Sequence, residues 1–300
     1  MRTAVVIAIA MCTASGLGCE DGASRSQRRV LATNQSFPYT MLATDDALYW
    51  GGQTAMQVSL DDATANVIGT PNAGALAMAH NSERLFWATS SEIWSAARAG
   101  GEPELISSDH RCVFAMAADE TRVYWASVLG DTILAWDAVT GEQLVIADDQ
   151  PSPRALEISD GRLYWATGAG TIASADRDGD DRHTVAEQDS WPADLVVVGD
   201  DIYWATSDGA VVHATAAGGD AETIAQGDPI RGFGAVLAVD GDGIYWATRE
   251  TEDAPGQVRF AWHGTAQSIT VAVEPAAAIA ARNGSLYVGT THGEIVELSY

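Results

Sequence analysis

Short apolar runs separated by polar turns extend along most of the chain. One aromatic pair, Tyr or Phe followed by Trp, recurs in these runs directly after an aliphatic residue. The six copies end at Trp50, Trp87, Trp125, Trp165, Trp204 and Trp246. Tyr287-Val288 is a degenerate seventh copy. Successive copies are 37, 38, 40, 39, 42 and 42 residues apart, so one structural unit repeats along the chain.

Each repeat has the pattern of four short strands. An apolar run leads to a turn rich in Asp, Asn and Gly, such as Asp160-Gly161, and the aromatic pair follows. A polar loop, a β-branched residue such as Ile172, a Gly turn and a last apolar run complete the unit. Four strands joined by hairpins, in a unit of about forty residues, predict the blade of a β-propeller. The 3.6-residue apolar spacing of a helical repeat is missing.

The two ends of the chain predict that the ring of blades closes. The seventh unit, Glu274–Tyr300, has room for only three strands, and an unpaired outer strand would leave a sheet edge open. The strand-like segment Arg28–Thr33 has no blade of its own, so we expect it to be the fourth strand of blade seven. The prediction is an all-β, seven-bladed β-propeller of four-stranded antiparallel blades over residues 28–300. Six blades with a terminal decoration is the alternative.

The repeat resembles that of YWTD-type propellers over roughly residues 28–300. Two features differ: Ala-Thr follows the aromatic pair, as in Leu163–Thr167, where the family has Thr-Asp, and the family typically has six blades. The role of the family's Asp is therefore not carried over. The resemblance implies an extracytoplasmic binding scaffold rather than a defined reaction. Because successive side chains on a strand face opposite sides, we expect Tyr and Trp to pack in the two adjoining inter-blade layers.

The N-terminus predicts export. Arg2 and the apolar run Ala4–Ala14 have the order of a signal peptide, and the run is shorter than the roughly 20 residues that span a bilayer. Gly16–Cys19 resembles a bacterial lipoprotein box. We expect residues 1–18 to be removed, Cys19 to be lipidated and residues 19–27 to be a polar tether. Ordinary cleavage and a soluble periplasmic or secreted product is the alternative.

Composition narrows the range of partners. The chain has 16 Lys+Arg, all of them Arg, against 41 Asp+Glu, and a net charge of -25 argues against nucleic acid. With Cys19 lipidated, Cys112 would stand alone in the mature chain, so no disulfide framework is expected. The chain contains no zinc-protease His motif, paired-Cys zinc site, phosphate-binding Gly loop or nucleophile elbow. These absences argue against the common motif-bearing enzyme classes.

Candidate ligand-binding residues lie in the loops that a propeller gathers on one face. These loops link successive blades or join the second strand of a blade to the third, and we call their side the loop-rich face. The candidates that differ from their counterparts in other repeats are Arg111, Arg154, Trp191, Arg231 and Phe233. The three Arg occupy corresponding inter-blade positions and would hold a carboxylate or phosphate by forked hydrogen bonds. Pairing with aspartates of the same loops is the alternative.

Glu157 stands in the predicted innermost strand of blade four. The corresponding residues elsewhere are apolar: Ala77, Met116, Val197 and Leu237. A carboxyl group there either faces a wet channel or has a raised pKa. The enzyme alternative, a metal-dependent hydrolase or lyase of the lactonase type, would place Glu157, His110 and His292 around a metal at the channel mouth.

The acidic turn of blade four invites a Ca²⁺ site. Asp176, Asp178 and Asp180 supply the oxygen ligands that hard cations prefer, but the distal Glu of a full calcium loop is missing. We therefore expect a solvated turn and no cofactor, with Ca²⁺ or another divalent metal as the alternative. The expected partner is a protein, peptide or glycan of the cell envelope. We expect a monomer that contacts the membrane only through its lipid.

Overall fold

The computed structural model describes residues 27–61, 64–68, 74–226, 236–241, 243–248, 255–263 and 268–299. These residues form seven antiparallel sheets of four strands, and each sheet is one blade. The seven-bladed β-propeller is confirmed, and the six-bladed alternative is wrong. In the described part of the chain, no helix has the length and apolar character needed to cross a membrane.

Each blade follows the strand order that the repeat predicts. Blades one to three contain β2 (Thr40–Ala43), β3 (Ala47–Gly51), β4 (Ala55–Ser59), β5 (Ala65–Val67), β6 (Ala77–His80), β7 (Arg84–Ala88), β8 (Ile93–Ala97), β9 (Glu104–Ser107), β10 (Val113–Ala118), β11 (Arg122–Ser127), β12 (Thr132–Asp137) and β13 (Gln143–Ala147). Blades four and five contain β14 (Ala155–Ser159), β15 (Arg162–Ala166), β16 (Thr171–Asp176), β17 (His183–Glu187), β18 (Pro192–Val198), β19 (Asp201–Thr206), β20 (Ala210–Thr215) and β21 (Glu222–Gln226). Blades six and seven contain β22 (Leu237–Asp240), β23 (Gly243–Thr248), β24 (Gln257–Trp262), β25 (Ser268–Ala272), β26 (Ala276–Arg282), β27 (Ser285–Thr290), β28 (Ile295–Ser299) and β1 (Gln27–Ala32).

The first strands of the blades surround the propeller axis. Each contacts the first strand of the next blade, and β26 of blade seven contacts β2 of blade one, so the ring is unbroken. Because strands within a blade are antiparallel, the inter-blade links and the turns between second and third strands share one side. This side is the loop-rich face. The other turns lie on the opposite face.

The N-terminal strand closes the ring, as the sequence predicts. β1 pairs antiparallel with β28, from Gln27 opposite Ser299 to Val30 opposite Val296. Arg28 reinforces the closure, since its guanidinium lies 2.9 Å from carboxylate oxygens of both Glu274 and Glu294. Blade seven therefore joins the two ends of the described chain in one sheet.

The aromatic pair packs between blades. Tyr124 of blade three shares a buried cluster with Trp165 of blade four, and Tyr164 of blade four shares the next cluster with Trp204 of blade five. All seven blade boundaries in the described structure have such a cluster, with one motif residue from each side. The predicted alternation is confirmed, and the motif Trp are core residues.

The Thr of the Tyr-Trp-Ala-Thr motif closes the turn between second and third strands. The Thr167 hydroxyl accepts the Thr171 N–H at 3.2 Å, and the Thr206 hydroxyl accepts the Ala210 N–H at 2.9 Å. Both Thr side chains are buried, so the bond satisfies a backbone donor that water does not reach. This role accounts for Ala-Thr where the resembled family has Thr-Asp.

Candidate functional site

The central channel contains a cavity of about 170 Å³, lined by the first strands of blades one to five and the residues just before them. Strand register arranges the lining in levels. The first level, at the loop-rich face, consists of Tyr39, Leu76, Phe114, Arg154 and Ala193. The second consists of Thr40, Ala77, Ala115, Ala155 and Asp194. The third consists of Met41, Met78, Met116, Leu156 and Leu195, and Leu42 and Glu157 line the fourth.

Glu157 faces this channel, where sequence comparison predicts an exceptional acid. It pairs with Tyr164, so its true counterparts are the residues opposite the first aromatic of each pair. They are Leu42, Ala79, Ala117, Val196, Ala238 and Ala280. The counterparts taken from sequence alone are out of register, but the true ones are also apolar. Burial and, second, the nearby Asp194 carboxylate raise the pKa of Glu157 to about 8, so this carboxyl is mostly protonated at pH 7.

Asp194 is a second channel acid, and sequence reasoning missed it by assigning it to an apolar run. Its carboxylate accepts backbone N–H groups of Leu195 at 2.9 Å, Val236 at 2.7 Å and Leu237 at 2.8 Å, which tie blade five to blade six. Burial raises the pKa of Asp194 to about 6 despite these hydrogen bonds, which lower it. Counting ten residues back from each motif Trp reveals it, because the count gives Ala77, Ala115 and Ala155 in other repeats.

Arg154 and Trp191, two of the predicted ligand-binding residues, lie together at the mouth of the channel. The Arg154 guanidinium carbon is 4.8 Å from the centre of the Trp191 ring, within range of a cation–π contact. Burial lowers the pKa of Arg154. Trp191 is only partly buried and stands in the link between β17 and β18.

Arg111 does not share the position of Arg154, contrary to the sequence prediction. A bulge between Val113 and Ala115 shifts the register of β10, so Phe114 occupies the first level in blade three. Arg111 is exposed on the loop-rich face instead. Arg231 and Phe233 lie outside the described residues, and so does Cys19.

The loop-rich face also exposes apolar side chains that were not singled out from sequence. Phe37 and Tyr39 stand in the segment that leads from β1 to β2, with ring centroids 5.4 Å apart. They are 43% and 38% exposed, and Leu129 in the β11–β12 turn is 58% exposed. The mouth of the channel therefore combines aromatic surface with Arg154.

The structure does not bring His110, His292 and Glu157 together. His110 is buried, with Nε2 2.8 Å from the Ser107 hydroxyl and its ring centroid 4.8 Å from that of Trp125. Burial lowers its pKa. His292 is exposed in the β27–β28 turn. Among the described residues, no group of three or more His, Cys, Asp and Glu side chains is placed to hold a metal ion.

His110 occupies the place of a structural glutamine. Gln150 accepts the indole N–H of Trp165 at 2.7 Å, and Gln188 accepts that of Trp204 at 2.6 Å. Both Gln come from the link that precedes their blade, and His110 has the same position beside Trp125. Its place in the fold is therefore explained by packing on a motif Trp.

The acidic turn of blade four lies on the opposite face, between β16 and β17. Asp176 Oδ1 accepts the N–H groups of Asp178 at 3.0 Å and Asp180 at 2.8 Å. Asp178 forms an ion pair with Arg122 of blade three at 2.6 Å. Two of the three candidate carboxylates thus have protein partners, and Ca²⁺ binding at this turn stays a prediction.

No protein-family model and no curated protein matches the chain. Solved structures do match. U3-55K aligns with a TM-score of 0.75 and 13% identity over 91% of this chain and 98% of that chain. The WD40 β-propeller domain of Doa1 aligns at 0.68 and 17% over 91% and 97%. A chain of a nidogen/laminin complex aligns at 0.61 and 18% over 75% and 91%. Likeness at these identities establishes the β-propeller fold alone.

Proposed function

We propose that the protein is an exported, lipid-anchored scaffold that binds a protein or peptide of the cell envelope at its loop-rich face. The observation that carries the proposal is the mouth of the channel, where Arg154 stacks on Trp191 beside the exposed rings of Phe37 and Tyr39. Trp, Tyr and Arg are the residue types that most often anchor interfaces, because they bury large apolar areas and keep a polar group available.

Two further facts support this proposal. The net charge of -25 favours association with a basic partner and opposes association with an acidic one. One of the similar solved structures is a nidogen/laminin complex, so a propeller-like chain there belongs to a protein assembly. That likeness is an analogy of fold and does not identify the partner.

The binding face is tested by matched substitutions in the full chain. Crosslinked partners are captured from the envelope fraction, and their affinity for wild-type protein and for the variants is then measured by calorimetry. We expect Trp191→Ala and Leu129→Ala to weaken binding, with about a tenfold loss for Trp191→Ala. Val139→Ala is the control, since Val139 is 79% exposed on the opposite face of the same blade as Leu129. Equal losses for Leu129→Ala and Val139→Ala would contradict a loop-face site.

Lipid anchoring is tested separately at Cys19. Cells that express the wild-type protein or Cys19→Ala are grown with an alkyne-labelled fatty acid. We expect label on the wild-type protein only, together with a mature N-terminus at Cys19. A soluble, unlabelled wild-type product would show ordinary cleavage and leave the loop-face proposal standing.

A further inference from the structure

The channel holds two carboxyl groups at different depths in an apolar wall. Asp194 lines the second level and Glu157 the fourth, two residues apart along their strands, which is a rise of about 6.6 Å. The third level between them presents Met41, Met78 and Met116. The cavity is therefore a methionine-lined passage with an acid above and an acid below.

Neither acid is balanced by a cation. The titratable and charged groups of the described residues that line this cavity are Tyr39, Arg154, Glu157 and Asp194. Arg154 lies at the mouth against Trp191 and contributes to neither acid's pKa. Only backbone N–H groups stabilise the two charges: Ile158 for Glu157, and three N–H groups for Asp194. The enclosed site thus has negative character that the described residues do not neutralise.

We propose that the channel binds one primary ammonium group on an alkyl chain, the side chain of a partner lysine inserted from the loop-rich face. The ammonium would lie between Asp194 and Glu157, with its methylene groups against the three Met side chains. A cavity of about 170 Å³ has room for such a group, since one water needs only roughly 10–15 Å³ of comparable volume. The inference rests on the proposed function and specifies what the partner presents.

A hard metal ion fits the same cavity less well. Ca²⁺ takes about 6–8 oxygen ligands, and the channel offers two carboxyl groups among apolar side chains. The described residues contain no group of three or more metal-ligating side chains. An ammonium group needs fewer acceptors, and its alkyl chain matches the apolar wall.

Binding of the cation is coupled to proton release. Glu157 is largely protonated at pH 7 in the free protein, because its pKa is raised to about 8. An ammonium group beside it favours the carboxylate, so the Glu157 proton leaves to the buffer while the ammonium keeps its charge. Affinity therefore rises with pH up to about 8, and the rise is a property of Glu157.

The test uses the full chain and n-butylammonium as the probe. Calorimetric titrations at pH 6 and pH 8, each in two buffers of different ionisation enthalpy, give the affinity and the protons released. We expect binding that is about tenfold or more tighter at pH 8, with proton release at pH 7. Butanoate, the charge-reversed probe of similar size, is expected not to bind.

Two near-isosteric variants locate the site. Glu157→Gln is expected to weaken butylammonium binding about tenfold at pH 8 and to abolish proton release, and Asp194→Asn to weaken it at both pH values. Val139→Ala on the opposite face is the control and is expected to bind as wild type does. The pH dependence of the wild-type protein needs no variant, so the proposal stays testable if Asp194→Asn does not fold.

Several results would overturn the inference. They are no heat with butylammonium, equal binding of butylammonium and butanoate, unchanged binding in both variants, or Ca²⁺ binding with proton release that excludes butylammonium. If butylammonium fails while Trp191→Ala still abolishes partner capture, the inference is wrong and the loop-face function stands. If the probe binds but no partner depends on Trp191, the channel is a small-cation site without the proposed scaffold.

Discussion

The carboxylates of the opposite face and those of the channel are in contrasting environments. On the opposite face, a hydrogen bond from Arg122 is the main cause that lowers the pKa of Asp137 to about 2, and one from Arg282 lowers that of Asp45. In the channel, burial raises the pKa of Glu157 to about 8 and that of Asp194 to about 6. The same chemical group is thus stabilised as an anion in one region and destabilised in the other.

The difference separates a structural use of acids from a functional one. Ion pairs of the opposite face cross blade boundaries: Arg282 with Asp45, Arg98 with Asp46, and Arg122 with Asp178. They join neighbouring blades where solvent already screens the charges. The channel acids oppose folding at neutral and alkaline pH, and enclosed ionisable groups of this kind are concentrated at binding and catalytic sites.

The largest expected effect is that of Glu157→Gln on stability at alkaline pH. The folded-state pKa of Glu157 is raised from the ordinary 4.5 to about 8, so wild-type stability falls as pH rises between these values. The variant lacks this loss and should be more stable than wild type at pH 9. The gain is at most about 1.4 kcal/mol for each pH unit that separates the unfolded-state pKa from the folded-state pKa. Urea unfolding at pH 4 and pH 9 measures it. An equal difference at both pH values would show that Glu157 does not titrate as proposed.

A smaller, opposite effect is expected when an ion pair of the opposite face is removed. Arg122 donates to Asp137 at 2.9 Å and to Asp178 at 2.6 Å, and its side chain is 15% exposed. Arg122→Ala should lower the free energy of unfolding by about 2–3 kcal/mol at pH 7. Arg111→Ala, at an exposed loop position of the same blade, should stay within about 0.5 kcal/mol of wild type. Similar losses in both variants would remove the contrast between the two faces.

The smallest expected effect is that of Ca²⁺ on the acidic turn. Asp176 is engaged with backbone N–H groups and Asp178 with Arg122, so the turn needs no metal to satisfy them. Adding millimolar Ca²⁺, or removing it with EDTA, should change Tm by less than about 1 °C. A larger rise in Tm that disappears in Asp180→Asn would instead identify a structural calcium site.

The fold was predictable because each blade carries the same internal marker. The aromatic pair occupies the second strand of every blade and packs against both neighbours, so its period counts the blades directly. The closing strand was predictable from an incomplete last unit and a strand left over at the start. Both inferences depend on local pattern and on the cost of open sheet edges, which sequence reveals.

The channel was only partly predictable, because its geometry depends on register. Glu157 stood out as an acid in an apolar strand, but its counterparts shift once the pairing with Tyr164 is known. Bulges near Val113 and Pro192 move residues along β10 and β18, and this is why Arg111 was misaligned and Asp194 overlooked. Backbone irregularities of this kind leave no mark in residue spacing from one turn to the next.

The strand that closes the ring also sets which way the molecule would stand on a membrane. β1 runs from the opposite face towards the loop-rich face, so Gln27 begins on the opposite face. Cys19 is eight residues earlier in the chain, which is a reach of at most about 28 Å. A lipid on Cys19 would therefore hold the Arg–Asp face towards the bilayer and leave the channel mouth pointing outward, open to a partner that arrives from the far side.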